Sequence, residues 1–295
     1  MSKPKIVAFY LPQFHAIPEN DKAHGKGFTE WTNTKKAKPL YEGHYQPRTP
    51  LNENYYDLLK PEVMEEQSSL AMKNGISGFC YYHYWFGKGK KLLEKPVENM
   101  LENKNVEIPF CLCWANENWS KRWDGGHNEI IAKQKYGSKK SWRNHINYLM
   151  NFFKDERYIK IENKPLFVIY KPELITRFSG MISFFDKQCK KNGFDGIKIF
   201  AQFPDIQFME MRSKKSIDGY ILFEPLYTWK ETAMGLLDAK TKRKQIIRTR
   251  IRCFLSKTVF SQVIPYIQKI LNNNNKPKYL QELNYNPLVY FPIRI

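Results

Sequence analysis

Six short apolar runs, each ending in polar or aromatic residues, limit this chain to few folds. They are Lys5 to Leu11, Ile76 to Trp85, Ile108 to Ala115, Pro165 to Tyr170, Ile197 to Phe203 and Gly219 to Glu224. Helical patterns alternate with them: Pro61 to about Asn74, Lys91 to Asn103, Ser138 to about Lys154, and Pro172 to Asn192. Strands alternating with helices imply parallel pairing through right-handed crossovers. The expectation is an α/β chain forming a (β/α)8 TIM-barrel-like fold rather than two separate sheets. Closing such a barrel takes eight strands. Val289 to Pro292 supplies a seventh at most, so the barrel is expected to be incomplete, with six or seven strands. Residues 1–230 are expected to form the barrel domain, and 231–295 a basic helical segment that completes or covers it.

The bulk composition admits a folded domain and constrains its partners. Of 295 residues, 42% are apolar and 15% aromatic, enough to fill a core, which excludes wholesale disorder. Lys and Arg number 48 against 29 acids, a net charge of +19, which favours anionic partners. Part of that charge sits between Lys240 and Leu271, where basic residues accompany Ile247, Ile251, Phe254, Phe260, Val263 and Ile267. That segment reads either as a basic amphipathic helix at a membrane surface or as a solvated helix covering the barrel. No nucleic-acid motif accompanies the charge, so no nucleic-acid partner is expected. Five cysteines without a C-x-x-C pair argue against a zinc site or a disulfide framework and suit reduced cytosol. The first residues lack the apolar core of a signal peptide, and no run of about 18 apolar residues appears.

The chemistry gathers where the apolar runs stop. CLCWANENWSKRWDG carries a buried run directly into Asn116, Glu117, Asn118, Trp119, Arg122, Trp123 and Asp124. Polar residues at the carboxyl ends of parallel strands are how such folds present a site. Indole faces stack on sugar C–H faces, amides bind hydroxyls, and a carboxylate moves a proton. The competing reading puts Trp114 and Trp119 in the core and Glu117 in solvent. A second end, GFCYYHYWF, repeats the pattern: Tyr82 and Tyr84 point one way, and Tyr81, His83 and Trp85 the other. Tyr10, Gln13 and His15 close the first run, and Gln202 lies near the end of the fifth. The long stretch from Ile17 to Asn54, with little periodicity, adds Glu30, Trp31, His44 and Gln46.

These blocks carry a resemblance. KIVAFYLPQFH, GFTEW, KKAKPLYEGHYQPR, GFCYYHYWF and CLCWANENWSKRWDG, in that order, resemble the WbsX-type glycosyltransferases, whose domain is similar to glycoside hydrolase family 99. The match runs from about Lys5 to Pro225. It implies a (β/α)8 barrel acting on glycans or sugar donors in surface polysaccharide synthesis, such as lipopolysaccharide O-antigen or capsule. It also implies a carboxylate acid/base mechanism without metal or cofactor, in which one acid assists attack by the sugar's 2-hydroxyl. Endo-acting hydrolysis like that of endo-α-mannosidases is the alternative. Carried over by position, Trp85 falls where the family has a cleft aromatic, Glu117 and Asn116 lie in WANE, and Glu224 ends the sixth run. Glu117, Glu224 and Glu30 are therefore the expected catalytic acids. Substrate contacts are expected from Tyr10, Gln13, His15, Trp31, His83, Tyr84, Trp85, Asn116, Trp119, Arg122, Trp123, Asp124 and Gln202.

Longer relatives in the resemblance carry WDN-type and WNEW-type segments near their C-terminus, and this sequence has neither. A truncated, noncatalytic glycan-binding remnant is accordingly a third reading. The expected location is cytoplasmic, peripheral at the inner membrane face near an anionic surface or lipid-linked carrier.

Overall fold

The structure is a computed structural model, and it describes residues 4–121, 129–203, 216–225 and 228. Strand β1 (Val7–Tyr10) is followed by two short helices, α1 (Pro18–His24) and α2 (Glu30–Lys36), and then by α3 (Pro61–Lys73). Strand β2 (Gly78–Trp85), a two-residue β3 (Lys91–Leu92), α4 (Lys95–Glu102) and β4 (Phe110–Trp114) come next. A hairpin of β5 (Trp119–Ser120) and β6 (Ile130–Ala132) precedes α5 (Lys139–Phe153). The described order ends with β7 (Lys160–Ile161), β8 (Lys164–Ile169), α6 (Phe178–Lys191), β9 (Lys198–Phe203) and β10 (Gly219–Leu222).

The six long strands lie side by side as β1-β2-β4-β8-β9-β10, every neighbouring pair parallel. Spatial order equals chain order, so each crossover steps to the next position and never reverses. That winding belongs to barrels and not to doubly wound open sheets. The sheet also curls. The Cys113 thiol on β4 approaches Gln202 Oε1 on β9 at 4.0 Å although β8 lies between them, and Tyr82 meets Tyr170 across β4 at 6.4 Å between ring centroids. Flat neighbouring strands stand about 4.8 Å apart, so side chains two strands away converge when the sheet is concave on that face. The six strands thus form the first part of a barrel, as the alternation of strand and helix required.

Alternation along the strands separates two layers. Tyr81, Phe110, Leu112, Trp114, Phe167, Ile169 and Ile199, all 1% exposed or less, face outward and pack under the helices. Each fully buried aromatic or branched side chain there contributes about 1.5–3 kcal/mol relative to exposure. The concave face carries Phe9, Cys80, Tyr82, Tyr84, Cys111, Cys113, Phe200 and Gln202.

Local chemistry sets the element ends. Pro61 opens α3 where its missing N–H costs nothing, and a reciprocal Thr29–Thr32 capping box starts α2. Helix α4 ends against Arg157, whose guanidinium donates to the carbonyls of Met100, Leu101, Asn103 and Val106 while pairing with Asp155. A cation holding the last free carbonyls of a helix is a strong C-terminal stop.

Three expectations need correction. The stretch from Ile17 to Asn54 holds α1 and α2, whose seven-residue lengths are too short for periodicity to register. Lys91–Leu92 pairs antiparallel with Tyr84–Trp85, so α4 begins at Lys95 and not at Lys91. The stretch from Pro172 to Asn192 breaks into a 3-10 turn at Pro172–Leu174 and α6, with Ile175 buried between them. The expected basic segment from Lys240 to Leu271 and the seventh strand at Val289 to Pro292 lie outside the described residues.

Candidate functional site

At the carboxyl end of the sheet a run of contacts crosses three successive strand ends. Gln13, just past β1, donates its side-chain amide to the hydroxyl of Tyr84 near the end of β2. The Tyr84 ring meets Trp119 edge-on at 5.2 Å, and the Trp119 indole N–H donates to Asn20 of α1 at 3.2 Å. Behind these rings Phe86, Leu92, Leu93, Ala115 and Ala132 form a small second core separate from the main one. The hairpin that carries Trp119 is thereby fixed to β2 and α1, and the indole stays partly exposed.

Glu117 stands two residues before Trp119 and pairs with the ammonium of Lys171, two residues past the end of β8. Its position is set by Asn116, which is fully buried. The Asn116 amide donates to the Lys171 carbonyl at 2.7 Å, and its oxygen accepts from the Lys171 N–H, also at 2.7 Å. The Tyr136 hydroxyl donates to the Asn116 carbonyl at 2.8 Å. The Glu117 side chain is 44% exposed, so the pair faces open space while its supports do not. An exposed pair of this kind adds little stability, about 0–1 kcal/mol, and its significance lies in placement.

Two groups on the concave side are sealed and incompletely bonded. Among the described residues, Gln13 Oε1 and Gln202 Nε2 have no hydrogen-bond partner, and their residues are 3% and 0% exposed. His15, 1% exposed, makes no hydrogen bond of ordinary geometry through either ring nitrogen among the described residues. Burial lowers its pKa, against the opposing pulls of Asp57 and of the nearby Pro12 backbone. A buried polar atom left unpaired costs about 1–3 kcal/mol, so such atoms invite a ligand-binding explanation. Glu30 at the start of α2 is the titratable outlier: burial pushes its carboxyl up to about 7.

The structure brings together some of the expected residues and separates others. Gln13, Tyr84 and Trp119 join in one run; Glu117 and Asn116 share the β4 end, and Gln202 lies on the concave face. Tyr10 does not join them, because its hydroxyl donates to Gln67 of α3 in the helix layer. His83 and Trp85 are also on the helix side. Trp85 stacks on His145 of α5 at 4.7 Å and 5°, and His83 Nε2 lies 2.9 Å from His145 Nε2. Strand alternation explains this: Tyr84 takes the mouth, so its two neighbours take the core. Asn116 spends both ends of its amide on Lys171 and acts as a brace, not a free sugar ligand. Trp31 is an anchor for α2, its indole N–H donating to the Tyr56 carbonyl at 2.8 Å and its ring 4.7 Å from Phe14. Glu224, exposed after β10, accepts from the Thr228 N–H at 3.0 Å. Arg122, Trp123 and Asp124 lie outside the described residues. Among the described residues no group of three or more His, Cys, Asp or Glu is arranged to hold a metal.

Lys171 and Asn20 escaped the sequence reading. Lys171 is the residue immediately after PLFVIY, the same strand-end position that drew attention to Glu117. Asn20 carried no signal, since its importance comes from a contact 99 residues away.

Sheet order and rim together define a barrel-type α/β chain with its polar groups at the strand carboxyl ends. The chain belongs to the Glycosyltransferase WbsX family, which matches it over residues 6–288. Among curated proteins it is similar to the uncharacterized protein WxcX of Xanthomonas campestris pv. campestris strain B100, at 41% identity over 194 residues, 66% of this chain and 28% of WxcX. WxcX of strain ATCC 33913 matches equally. The chain therefore spans little more than a quarter of these relatives. Among solved structures it is similar to a GH99 endo-alpha-mannosidase from Bacteroides thetaiotaomicron, with 14% identity, a TM-score of 0.46, and coverage of 74% of this chain and 58% of that one. A glycoside hydrolase-like protein matches with 11% identity, a TM-score of 0.46 and the same coverage. No helix among the described residues is long and apolar enough to cross a membrane.

Proposed function

We propose that the chain is the barrel part of a carbohydrate-active enzyme that transfers glycosyl groups in the assembly of a surface polysaccharide. The observation that carries this reading is the rim: amide, phenol and indole in contact across β1, β2 and the loop after β4, with a half-exposed carboxylate beside them. Sugars are recognised by that combination, a ring to stack on and amides and acids to bind hydroxyls. Membership of the WbsX family supports the choice of transfer over hydrolysis.

In this reading Trp119 stacks on a sugar ring while Gln13 and Gln202 turn their unpaired amide atoms toward its hydroxyls, once the residues over them part. Glu117, placed by Lys171 and Asn116, takes the proton from the attacking hydroxyl. Glu30 is protonated over part of the neutral range and gives its proton to the departing oxygen. Glu224 is a second acid for hydroxyl binding. A glycan or an activated sugar is the substrate, and the +19 charge suits a phosphate-bearing donor at the inner face of the membrane.

Glu117→Gln and Glu30→Gln test the assignment in the full chain, with turnover measured against nucleotide sugars and lipid-linked sugars. The expected result is at least a hundredfold loss of transfer in each with sugar binding retained. Unchanged turnover in both overturns the roles. Cleavage of α-mannosides with no transfer by the parent replaces glycosyl transfer with the hydrolase reading.

A further inference from the structure

The segment between α2 and α3 presents apolar side chains outward in a way that the sugar site does not explain. Leu40 is 85% exposed, Leu51 83%, Tyr41 68% and Tyr45 60%, all within twelve residues. A soluble surface tolerates single exposed leucines but not such a concentration without a reason. The display is also built. The Leu40 N–H donates to His44 Nδ1 at 3.1 Å and the His44 N–H to the Tyr41 carbonyl at 3.1 Å, closing a tight turn that leaves Leu40 and Tyr41 outside. His44 stacks flat on Tyr41 at 4.6 Å, and Arg48 lies over the Tyr45 ring at 5.4 Å. Farther along, the Arg48 N–H donates to Gln46 Oε1 at 3.2 Å.

The charges around this display have one dominant sign. Lys35, Lys36, Lys38 and Arg48 are exposed, and between Lys35 and Leu51 Glu42 is the single acid. Leucines and tyrosines ringed by lysine and arginine are the composition of a lipid-interface element. Tyrosines sit at headgroup level, apolar side chains enter the acyl boundary, and cations meet anionic headgroups. The chain leaves β1 at its carboxyl end and runs through α1 and α2 into this segment, which returns through Tyr55 and Tyr56, beside Phe14 and Trp31, so it flanks the same end of the sheet as the rim.

We infer that residues 38–51 form a docking element for an anionic lipid surface, holding the mouth of the barrel toward the membrane. The inference is independent of the carbohydrate reading and does not use the segment beyond residue 228. It depends on apolar insertion and on charge, which two variants separate. Leu40→Asp/Leu51→Asp removes insertion, and Lys38→Glu/Arg48→Glu reverses charge at exposed positions outside the rim.

The experiment is co-sedimentation of the full chain with vesicles of phosphatidylethanolamine and phosphatidylglycerol, beside phosphatidylcholine vesicles, with thermal unfolding as the check on folding. The parent is expected to sediment with the anionic vesicles and not with the neutral ones. Each variant is expected to bind about tenfold or more weakly with its unfolding temperature unchanged. If one variant fails to fold, the other decides. The inference is overturned if the parent does not sediment, if folded variants sediment as the parent does, or if the leucine variant instead breaks a parent dimer that shows no vesicle binding.

Discussion

The amide of Asn116 and the backbone of Lys171 exchange two hydrogen bonds of 2.7 Å, joining the ends of β4 and β8 directly beside Glu117. Asn116 is sealed from water, whereas the ion pair it places is not. Stability and function should therefore separate at these two residues. Asn116→Ala strands the part-buried N–H and carbonyl of Lys171 and empties a fully buried side-chain site, and is expected to destabilise the fold by about 2–4 kcal/mol in urea unfolding. Glu117→Gln is expected to cost less than about 1 kcal/mol. Equal losses would mean that Glu117 is part of the framework.

Glu30 gives a pH signature. Its carboxyl is raised to about 7 by burial, above its unfolded value near 4.3, so the folded state binds the proton more tightly. Stability from this group is present below the unfolded pKa and falls as pH rises through 7. Glu30→Gln is expected to remove that fall, making the variant more stable than the parent by about 1–2 kcal/mol at pH 8 and nearly equal to it at pH 4. Urea midpoints at the two pH values check this, and a parallel offset at both would place Glu30 in solvent.

The histidine pair behaves in the opposite sense. Burial, and then the Lys91 charge, lowers His83 to about 3, while burial and His83 lower His145. Protons refused by the fold are taken up by the unfolded chain, so stability is expected to decline as pH drops from about 6.5 toward 3. His145→Phe is expected to flatten that decline and to cost about 1–3 kcal/mol at pH 8, because His83 Nε2 loses its 2.9 Å partner. A variant with the parent's full acid dependence would show that the pair does not govern it.

Arg157 joins four carbonyls at the end of α4 to Asp155. Desolvation raises the Asp155 pKa, but hydrogen bonds from Arg157 and Lys104 outweigh it and hold the carboxyl below its usual range. A lysine keeps the charge but lacks the planar fork, so Arg157→Lys is expected to cost about 2–4 kcal/mol. A loss below about 0.5 kcal/mol in thermal or urea unfolding would show the carbonyl contacts to be dispensable.

The sheet was legible in the sequence because each strand is a continuous apolar run whose end is marked by polar residues. PLFVIY and IKIFAQF need no partner to be recognised. Helices α1 and α2 were not legible, since each has seven residues and is held by contacts from elsewhere, such as Trp119 to Asn20 and Trp31 to Tyr56. Within GFCYYHYWF the period-two split was visible, but not which half faced the cleft. That was decided by His145 on α5, which covers His83 and Trp85. Asn116 was read as a ligand because its chemistry suits a hydroxyl as well as it suits a backbone. Only the position of Lys171 distinguishes the two.

Sugar binding by the rim from Gln13 through Tyr84 to Trp119 is what the proposed function requires. Saturation-transfer NMR on the full chain with α-mannose oligosaccharides and a set of other neutral oligosaccharides tests it most directly. The expected result is transfer to at least one of these sugars, lost about tenfold or more in Trp119→Ala and in Gln13→Leu with the fold intact. The contradicting result is no transfer to any sugar, or transfer that both variants keep unchanged.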